Sequence, residues 1–216
     1  MVKVIKWKLV LGRGGALILL VILGGINRIA SKDQYITNRS PITGPSLDSV
    51  VSMMKQGDLV LRRGRDIASF MISRTNNKDQ NYSHCGLVQV ENGYPFVYHF
   101  IGGDQTQGLH RDSAQVFLSP KHSNAGAIMR YELSKAELQK QKELITELRK
   151  NPRPYDNDFT LGEDRLYCAE FIYKVMNTVK VDNNFIGARL NNGYAYVPLD
   201  ALYEGKTSLI WQMTFK

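Results

Sequence analysis

An α+β fold, an antiparallel sheet packed against helices behind an N-terminal apolar helix, is what this sequence predicts. Two apolar runs at residues 83–90 and 95–101 are joined through Asn92-Gly93, a strong short-range hairpin signal. Two helical patterns, residues 134–150 and 166–179, follow the strands instead of alternating with them, which argues against a crossover-built parallel sheet.

The N-terminus comes first in order. Lys3, Lys6, Lys8 and Arg13 precede an apolar stretch, Ala16 to Ile26, which has the layout of a secretory signal or an uncleaved anchor. A cleavage site ending at Ala30 would place Arg28 where a small residue belongs, which favours the anchor. A buried N-terminal helix is the bland alternative. The expected layout is a signal or membrane-anchor segment at 1–30, a polar linker at 31–49 and a folded domain at 50–216, exported and either membrane-anchored or released as a periplasmic or secreted protein. A length of 216 residues suits one such domain, and 43% hydrophobic with 22% charged residues excludes wholesale disorder. The net charge of +8 gathers partly in the basic head and comes with no nucleic-acid-binding motif, so no nucleic-acid partner is expected.

Gly57-Asp58 reads as a turn feeding a strand at 59–62. Ile67, Phe70 and Met71 mark a short helix over 66–73. The Asn92-Gly93 hairpin follows, then a strand at 127–131 and an amphipathic helix with Leu138, Ile145 and Leu148 on its apolar side. After Pro152 and Pro154 the chain enters the last helix near Leu166.

That helix carries the chemistry. Ile172, Val175, Met176 and Val179 follow Cys168 at helical spacing, so Cys168 sits near the first turn on the buried side. Partial positive charge at a helix N-terminus favours the thiolate, which is the nucleophile. A plain buried cysteine is the alternative. Strand alternation puts His84, Gly86 and Val88 on one face and Cys85 and Leu87 on the other. With Asn92-Gly93 as the turn, Gly86 opposes His99, so His99 shares the His84 face on a diagonal of about 7–8 Å. His84 is therefore the candidate base and His99 its orienter, with Cys168 expected on their side. Cys85 is expected to be a packing residue remote from Cys168, with no disulfide. Single Cys and His residues on separate elements, without C-x-x-C or H-E-x-x-H, give no zinc pattern. His110 and His122 lie in polar, loop-like stretches and are expected at the surface.

The residues Ser83 to Val88 (SHCGLV) with Gly57-Asp58 before them, Pro154 to Phe159 (PYDNDF), Tyr167 to Met176 (YCAEFIYKVM) and the GLHRDSAQVFL stretch after the hairpin resemble the permuted NlpC-type papain-like cysteine hydrolases, the YiiX/YebB-like branch. The resemblance spans about Met54 to Met176. It implies a circularly permuted papain-like (NlpC-type) fold in which the histidine strands precede the cysteine helix. It also implies a Cys-His-polar triad of Cys168, His84 and His99, with Tyr155 and Tyr167 as oxyanion or substrate contacts. His99 stands where many relatives have glutamate, and Ala169 replaces a common serine. Glu170 fits the pattern in a structural role.

The activity so implied is cleavage of an amide bond through a thioester, as a peptidase or amidase of peptides or peptidoglycan fragments, with no cofactor. Two other readings stay open. One is a membrane-associated thiol acyltransferase or lipid esterase, since the resemblance extends to lecithin retinol acyltransferase and an acyl-lipid substrate suits a tethered domain. The other is a catalytically inactive binding module. A long apolar groove at Cys168 would favour lipid, and a shallow polar cleft peptide.

Overall fold

A computed structural model describes residues 46–102, 108–180, 182, 184–191 and 193–214. The expected apolar N-terminal helix, with its signal or anchor role, and nearly all of the expected linker lie outside the described residues. Among those described, no helix is long and apolar enough to cross a membrane.

Six strands form one antiparallel sheet: β1 (Leu59–Gly64), β2 (His84–Glu91), β3 (Tyr94–Ile101), β4 (Gly108–Ser113), β5 (Ser123–Tyr131) and β8 (Thr207–Thr214), in the order β4-β3-β2-β1-β5-β8. A separate hairpin joins β6 (Arg189–Asn191) to β7 (Tyr194–Tyr196). The helices are α1 (Leu47–Ser52), α2 (Ile67–Ser73), α3 (Ala114–Phe117), α4 (Lys135–Lys150) and α5 (Cys168–Val179). Helix α1 starts inside the stretch read as linker. The edge strand β4 covers residues read as loop, because Gly108, His110, Arg111 and Asp112 give no apolar alternation.

Asn92 and Gly93 both take positive φ, 51° and 84°, as a two-residue hairpin turn with the right twist demands. The turn fixes the expected register, Glu91 opposite Tyr94 through Leu87 opposite Tyr98. Pairing to β3 stops there, while β2 continues along β1 as far as Arg62 opposite His84. The first residues of β2, His84 to Gly86, are therefore paired on one side only.

Both faces of the sheet are covered. Leu59, Leu61, Cys85, Leu87 and Phe100 pack with Phe171, Ile172 and Met176 of α5. Val60, Val88, Val97 and Ile128 pack with Val50 of α1 and Phe117 of α3. Central strands buried on both sides read as nearly continuous apolar runs, which is why SHCGLVQV shows little alternation. Each fully buried Leu, Ile or Phe contributes about 1.5–3 kcal/mol to this arrangement.

Asp58 anchors the start of β1. Its buried carboxylate accepts from the Lys55 backbone N–H at 2.8 Å and from Arg130 Nε and Nη2, each at 2.8 Å. Helix α4 begins with a reciprocal capping box between Ser134 and Glu137.

Candidate active site

Helix α5 opens at Tyr167, which is extended and supplies no side-chain cap. The Tyr167 hydroxyl accepts from the Val197 backbone N–H at 2.7 Å instead. The first-turn amides of α5 are thus left for the Cys168 sulfur. The Cys85 thiol lowers the Cys168 pKa most. Burial opposes it, and the backbone N–H groups of Cys85, Ala169 and Cys168 lower it further. Net, the helix N-terminus and Cys85 favour a thiolate at Cys168.

Cys168 is only 3% exposed, yet it lines a cavity of about 690 Å³ with Met71, Ile72, Phe159, Tyr167, Tyr194 and Val197. Tyr155 sits close behind, 8% exposed and bridged through its backbone to Leu166. Burial, then the charges of Cys168 and Cys85, holds its hydroxyl protonated far above the ordinary tyrosine range.

On the other side of β2, His84 Nε2 lies 2.8 Å from His99 Nδ1. The diagonal pairing inferred from the hairpin register is what the coordinates contain. Gly86 makes it fit: a Cβ there would stand 2.5 Å from Val97 Cγ1 and 2.8 Å from the Tyr98 carbonyl oxygen. The chain of contacts continues to a residue the sequence did not reveal, since His99 Nε2 lies 3.1 Å from Asp112 Oδ2. Asp112 is on β4, an edge strand without a pattern, and only recognition of that strand would have found it.

The contacts fix the tautomers. Hydrogen bonding from His99 comes first among the causes that hold the Asp112 carboxyl below the usual range, so it is an ionised acceptor. His99 Nε2 therefore carries a hydrogen, His99 Nδ1 accepts from His84 Nε2–H, and the remaining lone pair of the pair is on His84 Nδ1. Burial, then His99 and Arg62, lowers the His84 pKa well below 6.5, so the imidazole is neutral at physiological pH. Phe117 closes this side, its ring 5.7 Å from that of His84 and 4.9 Å from that of His99.

Three expectations are corrected. Cys168 does not share the His84 face: α5 packs on the Cys85 side of β2, and among the described residues no hydrogen bond joins Cys168 to His84. Cys85, expected to be remote, lies against Cys168, and both are free thiols. Periodicity gave the buried side of α5 but not which face of a doubly covered sheet that side would take. The sulfur and His84 still belong to one end of the sheet. Arg62, directly across from His84, is lowered in pKa by burial and raised by Asp112, then by Cys168. His110 is also corrected, from surface loop to β4, where it opposes His99. His122 is exposed in a turn, as expected.

An imidazole pair and a helix-borne cysteine at one end of an antiparallel sheet, strands before helix, are the arrangement of the permuted papain-like class. Comparison with known proteins agrees. The chain belongs to the permuted papain-like amidases of the YaeF/YiiX type, the C92 family, which it matches over residues 53–204. That family is described as one of papain-like amidase enzymes. It is 30% identical over 121 residues to the uncharacterized protein YiiX of Escherichia coli K12, an alignment covering 55% of each chain. The chain thus matches about half the length of that relative. The crystal structure of YiiX from Escherichia coli O157:H7, described as a metalloprotein, superposes with a TM-score of 0.61 at 18% identity, over 75% of this chain and 99% of that one. In this chain, no group of three or more His, Cys, Asp or Glu among the described residues is arranged to hold a metal ion. The nitrogens that link His84 to His99, and His99 to Asp112, are turned to one another and not to a common centre.

Proposed function

We propose that this enzyme cleaves an amide bond by covalent catalysis at Cys168. The thiolate attacks the carbonyl carbon, and the amides at the start of α5 receive the negative charge that develops on oxygen. His84 Nδ1 takes the proton that the Cys168 thiol gives up and passes it to the leaving amine; water then attacks the thioester, giving its proton to the same nitrogen, which returns it to the departing Cys168 sulfur. His99 and Asp112 hold His84 in the tautomer this requires. In the resting arrangement His84 is turned away from the sulfur. Rotation of its side chain at the start of β2, ahead of the residues paired to β3, brings the imidazole toward Cys168.

The single observation that carries this reading is the thiol at the uncapped helix N-terminus, open to a cavity. Stem peptides of the cell wall are the proposed substrates, met outside the cytoplasm by a domain at 50–216 exported behind the basic, apolar N-terminus. Tyr167 lines the cavity beside the sulfur and is the proposed substrate contact, with Tyr155 behind it near the oxyanion.

The lining of that cavity, dominated by Met71, Ile72, Phe159, Tyr194, Val197 and Leu199, favours a second reading, an acyl-lipid substrate cleaved or transferred at the same thiol. Turnover of peptidoglycan fragments and of long-chain N-acyl amides, measured side by side, separates the two. Cys168→Ala is expected to abolish whichever activity is present while circular dichroism stays unchanged. Asp112→Asn is expected to lower it by about 10²–10⁴, the usual scale of general acid–base catalysis. Full activity in Cys168→Ala would remove the proposal.

A further inference from the structure

Cys85 takes no part in the chemistry proposed above, yet it shares a buried cluster with Cys168, and its thiol is the first cause that lowers the Cys168 pKa. The two are the only cysteines in the sequence, and both are free and buried. Their surroundings differ. Cys168 lines the cavity, where a small solute reaches it. Cys85 is wholly buried with Leu59, Leu61, Leu87 and Phe100.

We propose that Cys85 and Cys168 form a peroxide-responsive thiol pair, in which oxidation of Cys168 is captured as an internal disulfide that switches the enzyme off reversibly. The proposal rests on Cys168 being the reactive thiolate of the site.

The order of events follows from the geometry. Cys168 S⁻ attacks one oxygen of hydrogen peroxide, the O–O bond breaks, and the departing hydroxide takes a proton and leaves as water. Cys168 is then a sulfenic acid. The Cys85 sulfur attacks the Cys168 sulfur, the S–O bond breaks, and the released hydroxide takes the Cys85 proton and leaves as a second water. Two thiols have been oxidised by two electrons and one peroxide reduced by two. A dithiol reductant reverses the change by exchange.

Burial, then the Cys168 thiol and its charge, raises the Cys85 pKa, so Cys85 stays protonated until the sulfenic acid forms. The division of labour is thereby set. The partner that lines the cavity senses and the one enclosed in the core resolves, which spares Cys168 the irreversible step to sulfinic acid.

The test uses the full chain. Reduced protein is first labelled with iodoacetamide at neutral pH in one aliquot, and a second aliquot is exposed to hydrogen peroxide and peptide-mapped without reduction. The expected result is alkylation at Cys168 in the first aliquot, and in the second a linked Cys85–Cys168 peptide pair that dithiothreitol returns to two free thiols. Cys85→Ser, its fold checked by circular dichroism, is expected to pass to sulfinic acid at Cys168 severalfold faster than wild type and to resist dithiothreitol. Sulfinic acid at Cys168 with Cys85 still free in wild type, or linkage only between chains, overturns this inference and leaves the amidase reading standing. Absence of alkylation at Cys168 in reduced protein overturns both.

Discussion

At the scale of single residues, the electrostatics favour a charged sulfur and uncharged imidazoles. Arg62 is the pivot. It donates to the Phe117 carbonyl at 3.0 Å, lies 4.5 Å over the Phe117 ring, and disfavours a second positive charge on His84 or His99. The consequence appears in stability. Both histidines have folded-state pKa values below the unfolded value of about 6.5. As pH falls through about 6.5 the unfolded chain binds protons that the folded chain refuses, so stability drops on the acid side. For each such histidine the slope is at most about 1.4 kcal/mol per pH unit, until its folded pKa is reached. Asp112 and Asp66, whose pKa values are lowered, act in the same direction only below the ordinary carboxylate range near pH 4. Urea unfolding at pH 7.5 and 5.5 is expected to show a loss of stability in wild type and a smaller loss in His84→Gln. An equal loss in both would mean that His84 is not held neutral by the fold.

At the scale of elements, the informative object is the β2–β3 hairpin. Asn92-Gly93 fixed its register from the sequence, and with it the meeting of His84 and His99. What the hairpin pattern did not contain was the third strand: Asp112 and His110 come from β4, whose polar residues pair with β3 at the edge of the sheet. Nor did it contain the side on which α5 lands. Cys168 was legible as a first-turn residue from Ile172, Val175 and Met176, but β2 is apolar toward both faces, so local pattern left the choice to tertiary packing. Gly86 is where this element is most easily broken. In Gly86→Ala the new methyl meets the Tyr98 carbonyl oxygen at 2.8 Å and the His99 Cβ at 3.0 Å, and backbone does not yield as a side chain does. A loss of about 1–3 kcal/mol is expected by urea unfolding, the usual cost of overpacking, together with a changed imidazole NMR signature for His84 and His99. Unchanged stability would show that β2 and β3 part there at little cost.

At the scale of the whole molecule, one sheet separates two half-sites. On one face α5 delivers a sulfur to the floor of an apolar cavity, and on the other β3 and β4 deliver a graded chain from carboxylate to imidazole. They come to the same end of the sheet because β2 contributes consecutive residues to both, His84 to one and Cys85 to the other. Permutation makes this natural, since a strand early in the chain and a helix late in it meet only in the folded domain. The fold class and the meeting of His84 with His99 could be read before any coordinates. The relation between the two half-sites could not, because it is a property of how helix and sheet stack.

The central claim, that Cys168 is an activated thiolate in an accessible site, is tested most directly by the pH dependence of its alkylation. Limited iodoacetamide labelling of the reduced full chain, with the modified cysteine located by mass spectrometry at each pH, is the measurement. The account predicts that Cys168 is labelled well below pH 8.5, the ordinary thiol pKa, while Cys85 is spared. Labelling that rises only near pH 8.5, or that falls on Cys85 and leaves Cys168 unmodified, would contradict it.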